Sequence, residues 1–338
     1  MNVVDITIVL ATYNRAPMLR KALASLVQLE TGGKFSYDIL VIDDGSTDDT
    51  AAVVKGFTDS TPGLSMTYVY QENLGQSLAL NKGAALAQGN WLAFFDDDQW
   101  AEPRWLAELY RVAQEKEADC VGGAVSLDLP ESLPLELGTI TRRTLSEKVP
   151  RANSRNSSVK ENIGSGNALI RRSVFKQVGN FDFVFRCGYD TDLFWRVEKG
   201  GFRLACAPDA IIHHVIPESR LQPAYLQRLC CMRGVASARI RWRYQGSLGL
   251  IKTNLWRLGV ALGRDLTIIT IAACGRHRSL LLDSLLSFWY LLAFMRGSLF
   301  FLAPRVFPQK KFMAAFSAPV PAGARSREEA EHPTSLRK

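Results

Sequence analysis

Along the first 125 residues, apolar runs of strand length alternate with stretches whose apolar positions repeat at helical spacing. The first run, "ITIVLATYN" (6–14), ends in polar residues. "APMLRKALASLVQ" follows, with Met18, Leu19, Leu23, Leu26 and Val27 at helical intervals and Pro17 in its first turn. "YDILVIDDGSTDDTAAVV" repeats the design: a strand over 37–42, then Asp43, Asp44 and Gly45, then a helix that Ser46 or Thr47 is placed to cap. "MTYVYQE" predicts a third strand. A helix over "NLGQSLALNKGAALAQG" would pack through Leu78, Leu80, Ala84 and Leu86, and "NWLAFFDDD" is a fourth strand. Strands without polar alternation are buried on both faces, so the rhythm predicts an α/β domain with a mostly parallel sheet and helices on either side.

In such sheets ligands bind beyond the carboxyl ends of the strands. Three of these strands end in "TYNR", "DDGS" and "DDD", which gathers the polar chemistry on one edge. The last cluster, "FFDDDQW" (94–100), sets Asp96, Asp97 and Asp98 directly after two phenylalanines. Three adjacent carboxylates ionise together only with difficulty unless cations come to them. Mg²⁺ or Mn²⁺ meets that need, taking one or two carboxylates and completing its shell with water and substrate phosphates. In an extended loop Asp96 and Asp98 point to one side as metal ligands, while Asp97 points away, toward a ribose hydroxyl. A solvated acidic turn capping the helix "AEPRWLAELYRV" is the plainer use of the same residues.

Taken together, "VLATYNR", "VIDDGSTDDT", "NLGQSLALNKGAALAQGNWLAFFDDD", "GSGNALIRRSVFKQVGNFD" and "GYDTDLFWRV" resemble the family 2 glycosyltransferases, in order and in spacing, over about residues 5–235. The resemblance implies a GT-A fold and an inverting enzyme that uses a nucleotide-diphosphate sugar with a divalent cation. By the same resemblance Thr12, Tyr13, Asn14 and Arg15 form the first nucleotide loop, Tyr13 offering a face to the base and Arg15 a fork to phosphate. Asp43 and Asp44 match an acidic pair that reads base and ribose, or else cap the following helix. Asn81 lies in the segment before the metal motif, where a surface role is equally open. Gly166 and Asn167 of "GSGNALIRR" would approach the acceptor sugar; a tight turn into a strand is the alternative. The polar stretch over about 138–160 reads as a lid.

"CGYDTDLFWRV" supplies the implied general base, Asp190. Where many relatives carry Glu this chain has Tyr189, a departure that bears on the acceptor contacts, for which Tyr189 and Asp192 are the candidates; a carboxylate facing the helix dipole is the plainer use of Asp190. Asp190 and Asp192 diverge by about 200° on a helix and cannot address one site. In "IIHHVIPESR" His213 and His214 alternate faces, so one at most turns to the metal. Alignment favours His214, with a hydrogen-bonded core histidine as the other reading. Arg220 meets either the diphosphate or a surface carboxylate. A sugar nucleotidyltransferase would need a Gly-rich phosphate loop with a Lys near the N-terminus, which "LATYNRAP" lacks. A non-catalytic nucleotide-sugar sensor is the competitor that Tyr189 prompts.

Charge separates the chain into halves. Residues 1–128 hold 9 basic against 18 acidic residues, a net −9, and the remainder 32 against 15, a net +17. Within 220–310 there are 14 basic and 2 acidic residues, interleaved with Trp, Leu, Ile and Phe. Such interleaving suits an anionic membrane surface, and no zinc-finger, ribonucleoprotein or helix-turn-helix signature argues for nucleic acid. The apolar segment "LLLDSLLSFWYLLAFMRGSLFFLA" is 24 residues long, enough to span, but it contains Asp283 and Arg296, each costing about 3 kcal/mol near a bilayer centre. Ser279, Asp283 and Ser287 share one stripe. Helices lying in the membrane interface are therefore favoured over a span or a soluble homodimer surface. The processive QxxRW signature is absent, which favours single additions to a lipid-linked or glycan acceptor.

The expected organisation is a catalytic domain over 1–220, a basic apolar helical region over 221–305 and a tail over 306–338. Six scattered cysteines without CxxC spacing suit a reducing compartment. The N-terminus has no basic n-region, so the globular part is expected on the cytoplasmic face of the cell membrane.

Overall fold

A computed structural model of the chain describes residues 4–131, 137–150, 159, 163–185, 187–265 and 278–307. The expected tail lies outside them except for Val306 and Phe307, as does most of the second half of the expected lid.

Four strands, β1 (Ile6–Thr12), β2 (Tyr37–Asp43), β3 (Met66–Tyr70) and β4 (Trp91–Asp96), run parallel, with β1 between β2 and β4. Helices α1 (Ala16–Leu26), α2 (Thr50–Ser60) and α3 (Gln76–Leu86) make the crossovers. The sheet continues through β5 (Gln99–Ala101), β6 (Cys120–Asp128), β7 (Asn167–Arg171) and β8 (Leu204–Val215), giving eight strands in the order β3-β2-β1-β4-β7-β6-β8-β5. β7 is antiparallel to β4 and β6, and β5 to β8. Helices α4 (Trp105–Glu115), α5 (Thr139–Thr144), α6 (Arg172–Val178) and α7 (Tyr189–Lys199) complete the domain.

The continuous apolar runs have a direct cause. Ile6, Ile8 and Leu10 of β1 pack with α1, α2 and α4 through Leu19, Leu23, Val53 and Trp105. Val9 and Ala11 face the other way, onto Leu80, Val174, Leu193 and Phe194. Every β1 position is buried, so no alternation survives in the sequence. Burial on both faces is worth about 1.5–3 kcal/mol for each large side chain.

Three expectations need correction. α2 begins at Thr50, where Asp48 accepts from its amide at 3.1 Å, so Ser46 and Thr47 are loop residues and not caps. α3 buries Ser77, Ala79, Leu80 and Gly83, whereas Leu86 is exposed. Close approach explains the shift, since a Cβ at Gly83 would collide with Val9 and Ile42, and the helix must present its smallest side to β1 and β2. The expected lid begins with α5, and Lys148 bridges to Val125 on β6, so residues 139–148 are built into the domain.

C-terminal to the sheet, α8 (Pro223–Val260) is broken at Gly246, whose φ of 66° and ψ of −171° lie outside the helical region. α9 (Arg278–Leu302) packs back along it. Gly234 of α8 lets Tyr290 and Ala293 of α9 approach where a Cβ would not fit.

Candidate active site

The acidic triple forms the tight β4–β5 turn, and not the extended loop leading into a helix that was expected. This geometry turns the three carboxylates in different directions. Asp97 is buried, accepting from Thr12 Oγ1 at 2.8 Å and from Arg15 Nη1 at 2.9 Å. Asp98 shares Arg15 at 3.3 Å and accepts from Arg220 Nη2 at 2.8 Å. Asp96 takes Gln76 Nε2 at 3.1 Å. Asp97 therefore fastens the strand ends together; its oxygens are engaged within the protein and not offered to a ribose.

His214 completes the cluster. Its Nδ1 donates to the carbonyl of Leu145 at 3.0 Å, which leaves Nε2 as the acceptor. Nε2 lies 3.5 Å from Asp98 Oδ2, and Arg220 donates to it from Nη1 at 2.9 Å. One guanidinium thus bridges an oxygen and a nitrogen that both attract cations. His213 turns to the opposite side, stacks on Trp100 at 3.8 Å and pairs with Glu102 at 3.0 Å.

These contacts set the charges apart. Burial works to raise the Asp98 carboxyl, but the neighbouring Arg220 and Arg15 guanidinium groups hold it well below the usual range. Burial raises Asp97 despite Arg15. Burial, then the neighbouring Asp98 and Asp97, push Asp96 up to about 7. One carboxylate of the three is thus short of compensating positive charge. A divalent cation fits this donor set: Asp98 and His214 present an oxygen and a lone-pair nitrogen, and Asp96 lines the same cavity. Among the described residues no group of three His, Cys, Asp or Glu side chains is arranged to hold a metal ion by itself.

The cavity has a volume of about 210 Å³ and is walled by the acidic triple, Arg15 and Gln76 on one side. Residues 144–146 from the end of α5, with Tyr225, Leu229 and Arg233 from α8, form the other side. Arg233 and the α5 residues carry no periodic signal in the sequence; only the fold brings them here. Lys148 was missed for the same reason. Its ammonium and the Asp190 carboxylate both approach Gly164, and burial lowers the lysine's pKa.

Asp190 opens α7, half-buried, with Oδ1 accepting from the Thr191 amide at 2.7 Å, and it acts electrostatically on Asp96. Burial, Asp96 and Asp190 together raise the Tyr189 hydroxyl, which lies 3.5 Å from Ser165 Oγ. Gly166 backs the same carboxylates, since a Cβ there would overlap Asp96 and Gln99. On the nucleotide side Tyr13 is 46% exposed. Asn14 adopts a positive φ of 50° and staples two loops, its amide donating to Ser46 Oγ and its Oδ1 accepting from the Thr47 amide. Asp43 accepts from the Ser46 amide and Tyr68 hydroxyl, and Asp44 from Gln71, Leu74 and Gly75. This acidic pair organises the loop.

Three other predicted contacts are engaged elsewhere. Asn81 pairs twice with the backbone of Phe181, at 2.8 and 2.9 Å. Asn167 is buried, accepting from Trp105 Nε1 and donating to the carbonyls of Ala124 and Ala210. Asp192 is fully buried between Arg196 (2.9 Å), Arg243 (3.1 Å) and Tyr244 (2.7 Å), and joins α7 to α8. Each satisfies an internal polar group and leaves little for an acceptor.

The chain is similar to known glycosyltransferases. Residues 7–179, just over half the chain, match the model of glycosyl transferase family 2. Glycosyltransferase AglE of Haloferax volcanii is 28% identical over 210 residues, covering 62% of this chain and 66% of AglE. Succinoglycan biosynthesis protein ExoM of Rhizobium meliloti is 27% identical over 233 residues, covering 66% of this chain and 71% of ExoM. Among solved structures, mannosyltransferase PcManGT of Pyrobaculum calidifontis, in complex with GDP-Man and Mn²⁺, superposes with a TM-score of 0.59 at 16% identity over 88% of this chain and 87% of its own. That likeness establishes the shared GT-A-like fold. With these matches, the protein belongs to glycosyl transferase family 2 and is a glycosyltransferase.

Proposed function

We propose that this enzyme moves a sugar from a nucleotide-diphosphate sugar to a hydroxyl of a lipid-linked or glycan acceptor, with inversion and with a divalent cation bound. The observation that carries the reading is the meeting of Asp96, Asp98, His214, Arg15 and Arg220 around one cavity, with Asp190 in electrostatic range. Asp98 and His214, with Asp96, would hold Mn²⁺ or Mg²⁺, whose charge when bound neutralises the departing diphosphate. Arg15 and Arg220 supply forked donors for phosphate oxygens in the same place. Tyr13 offers its exposed ring to the base, on a loop held in shape by Asn14, Asp43 and Asp44.

Asp190 takes the proton from the acceptor hydroxyl as that oxygen attacks the anomeric carbon. The bond from that carbon to the phosphate oxygen breaks, and its electron pair leaves with the diphosphate. Attack opposite the leaving group inverts the configuration. A neighbour bound to GDP-Man and Mn²⁺ supports the donor and cation classes, and the name of ExoM supports a role in building a polysaccharide or glycoconjugate.

A membrane-borne acceptor fits the C-terminal helices. α9 buries Asp283, Ser284 and Ser298 against the protein and exposes Leu285, Phe288, Trp289, Leu292 and Leu299. Asp283 of the stripe noted in the sequence thus turns inward beside Leu286, Leu291 and Phe294, and the outward side is apolar apart from Arg296. This is the surface expected to rest on the cytoplasmic face of the cell membrane.

Labelled donor sugars and Asp190→Asn test the chemistry. The variant should lose about 10²–10⁴-fold in transfer rate while donor and Mn²⁺ still raise its melting temperature. Full turnover by the variant would remove Asp190 from the mechanism.

A further inference from the structure

The six-residue helix α5 is held at both ends by the C-terminal helices. At its start, the Asp283 carboxylate of α9 accepts from the Ile140 amide (2.9 Å), the Thr141 amide (2.8 Å) and Thr141 Oγ1 (2.7 Å). Gly138 leaves room for that carboxylate, where a Cβ would overlap it. Beyond its end, Arg233 of α8 donates to the Arg143 carbonyl and to Ser146 Oγ, each at 2.8 Å. Between these clamps the Leu145 side chain is buried with Leu226 and Cys230 of α8 and Leu286 of α9. The Leu145 carbonyl is the group that receives His214 Nδ1–H. A histidine with one nitrogen committed to a carbonyl has a fixed tautomer and ring orientation, and its other nitrogen becomes the better ligand.

We propose that Asp283 and Arg233 are positioning residues for the divalent cation, holding α5 so that Leu145 fixes His214 as the Nδ1–H tautomer, with Nε2, which here accepts from Arg220, 3.5 Å from Asp98. The inference rests on the metal-assisted reading given above. It makes the helices that carry the exposed apolar face part of the machinery that prepares the metal ligand. A charged carboxylate at position 283 of an otherwise apolar helix is thereby explained: it satisfies two amides and a hydroxyl of the catalytic domain, about 140 residues away in sequence.

The test uses the full-length chain labelled with ¹⁵N-histidine. It contains four histidines, and His214→Gln assigns the signal in question. In metal-free wild type, long-range ¹H–¹⁵N spectra should show His214 as the Nδ1–H tautomer. In Asp283→Ala and Arg233→Gln that tautomer should become mixed. Mn²⁺ affinity, read from the free-ion paramagnetic resonance signal, should fall about 10- to 100-fold. Transfer by both variants should recover in large part at saturating Mn²⁺. Asp283→Asn, which keeps one acceptor oxygen for α5, should be closer to wild type. Arg233→Gln leaves the Asp283 clamp intact and serves if Asp283→Ala does not fold. Folded variants with an unchanged His214 tautomer and unchanged Mn²⁺ affinity would overturn the proposal alone. A wild type that takes up no Mn²⁺ would overturn it together with the metal-assisted reading.

Discussion

At the scale of single residues, the site turns on how one carboxylate is accommodated. Gly166 adjoins Asp96 so closely that any side chain would displace the acid or Gln99. Gly166→Ala should therefore keep the fold and reduce transfer about 10- to 100-fold, from the roughly 1–3 kcal/mol of overpacking directed onto Asp96. Steady-state rates beside an unchanged circular dichroism spectrum would check this, and wild-type rates would show that Asp96 does not need its present position. The protonation of Asp96 gives a second handle. Its folded carboxyl is pushed up to about 7, well above its ordinary value in the unfolded chain, so between those values the folded state holds the extra proton. The metal-free protein should then lose stability as pH rises from about 5 to 8. Mn²⁺ must displace that proton, so its stabilising effect should grow over the same interval. Melting temperatures at several pH values, with and without Mn²⁺, measure both slopes; a Mn²⁺ effect that shrinks with rising pH would contradict the assignment.

At the scale of elements, polar side chains expected beside the ligands hold the helices in place. Asp192 ties α7, which carries Asp190, to α8 through Arg196, Arg243 and Tyr244. Removing it takes the buried acceptor from Tyr244 and from two guanidinium groups that keep other partners, Arg196 at the Val178–Asn180 carbonyls and Arg243 at Asp182. Asp192→Ala should cost about 1–3 kcal/mol of stability, the range for losing a buried hydrogen-bond partner, measured by urea unfolding. A loss under 1 kcal/mol would mean that α7 and α8 dock through their apolar contacts alone. Legibility in the sequence follows the same divide. β1, β2 and β4 were readable because burial on both faces leaves unbroken apolar runs, and their polar ends marked the site edge. Asp190 and the acidic triple were readable from chemistry and family likeness. The internal partners of Asn81, Asn167 and Asp192 were not legible, because a buried polar residue looks the same in sequence whether its partner is a ligand or a distant group of the fold. β5 was missed because three residues pairing with β8 leave no periodic trace.

At the scale of the whole molecule, the acidic first half supplies the carboxylate cluster of the site, and the basic second half supplies His214, Arg220 and Arg233 together with an apolar face. On α8 and just beyond it Leu248, Leu255, Trp256 and Leu262 are 58–74% exposed, and on α9 the outward side carries Leu, Phe and Trp with Arg296. Arg228 and Arg305 are exposed on the same C-terminal segment. Apolar burial and attraction to anionic headgroups add in membrane binding, and salt screens only the second. The protein should co-sediment with phosphatidylglycerol–phosphatidylcholine vesicles, more weakly at high salt but not to zero. Replacing Leu255 and Trp256 by Glu removes two insertion side chains worth about 1.5–3 kcal/mol each, so vesicle affinity should drop more than tenfold. Transfer to a water-soluble acceptor should persist, since neither residue lines the cavity. Wild-type vesicle binding by that variant would place the contact elsewhere. A concentration-dependent dimer in light scattering, abolished by the same substitutions, would show instead that the apolar face pairs two copies of the chain.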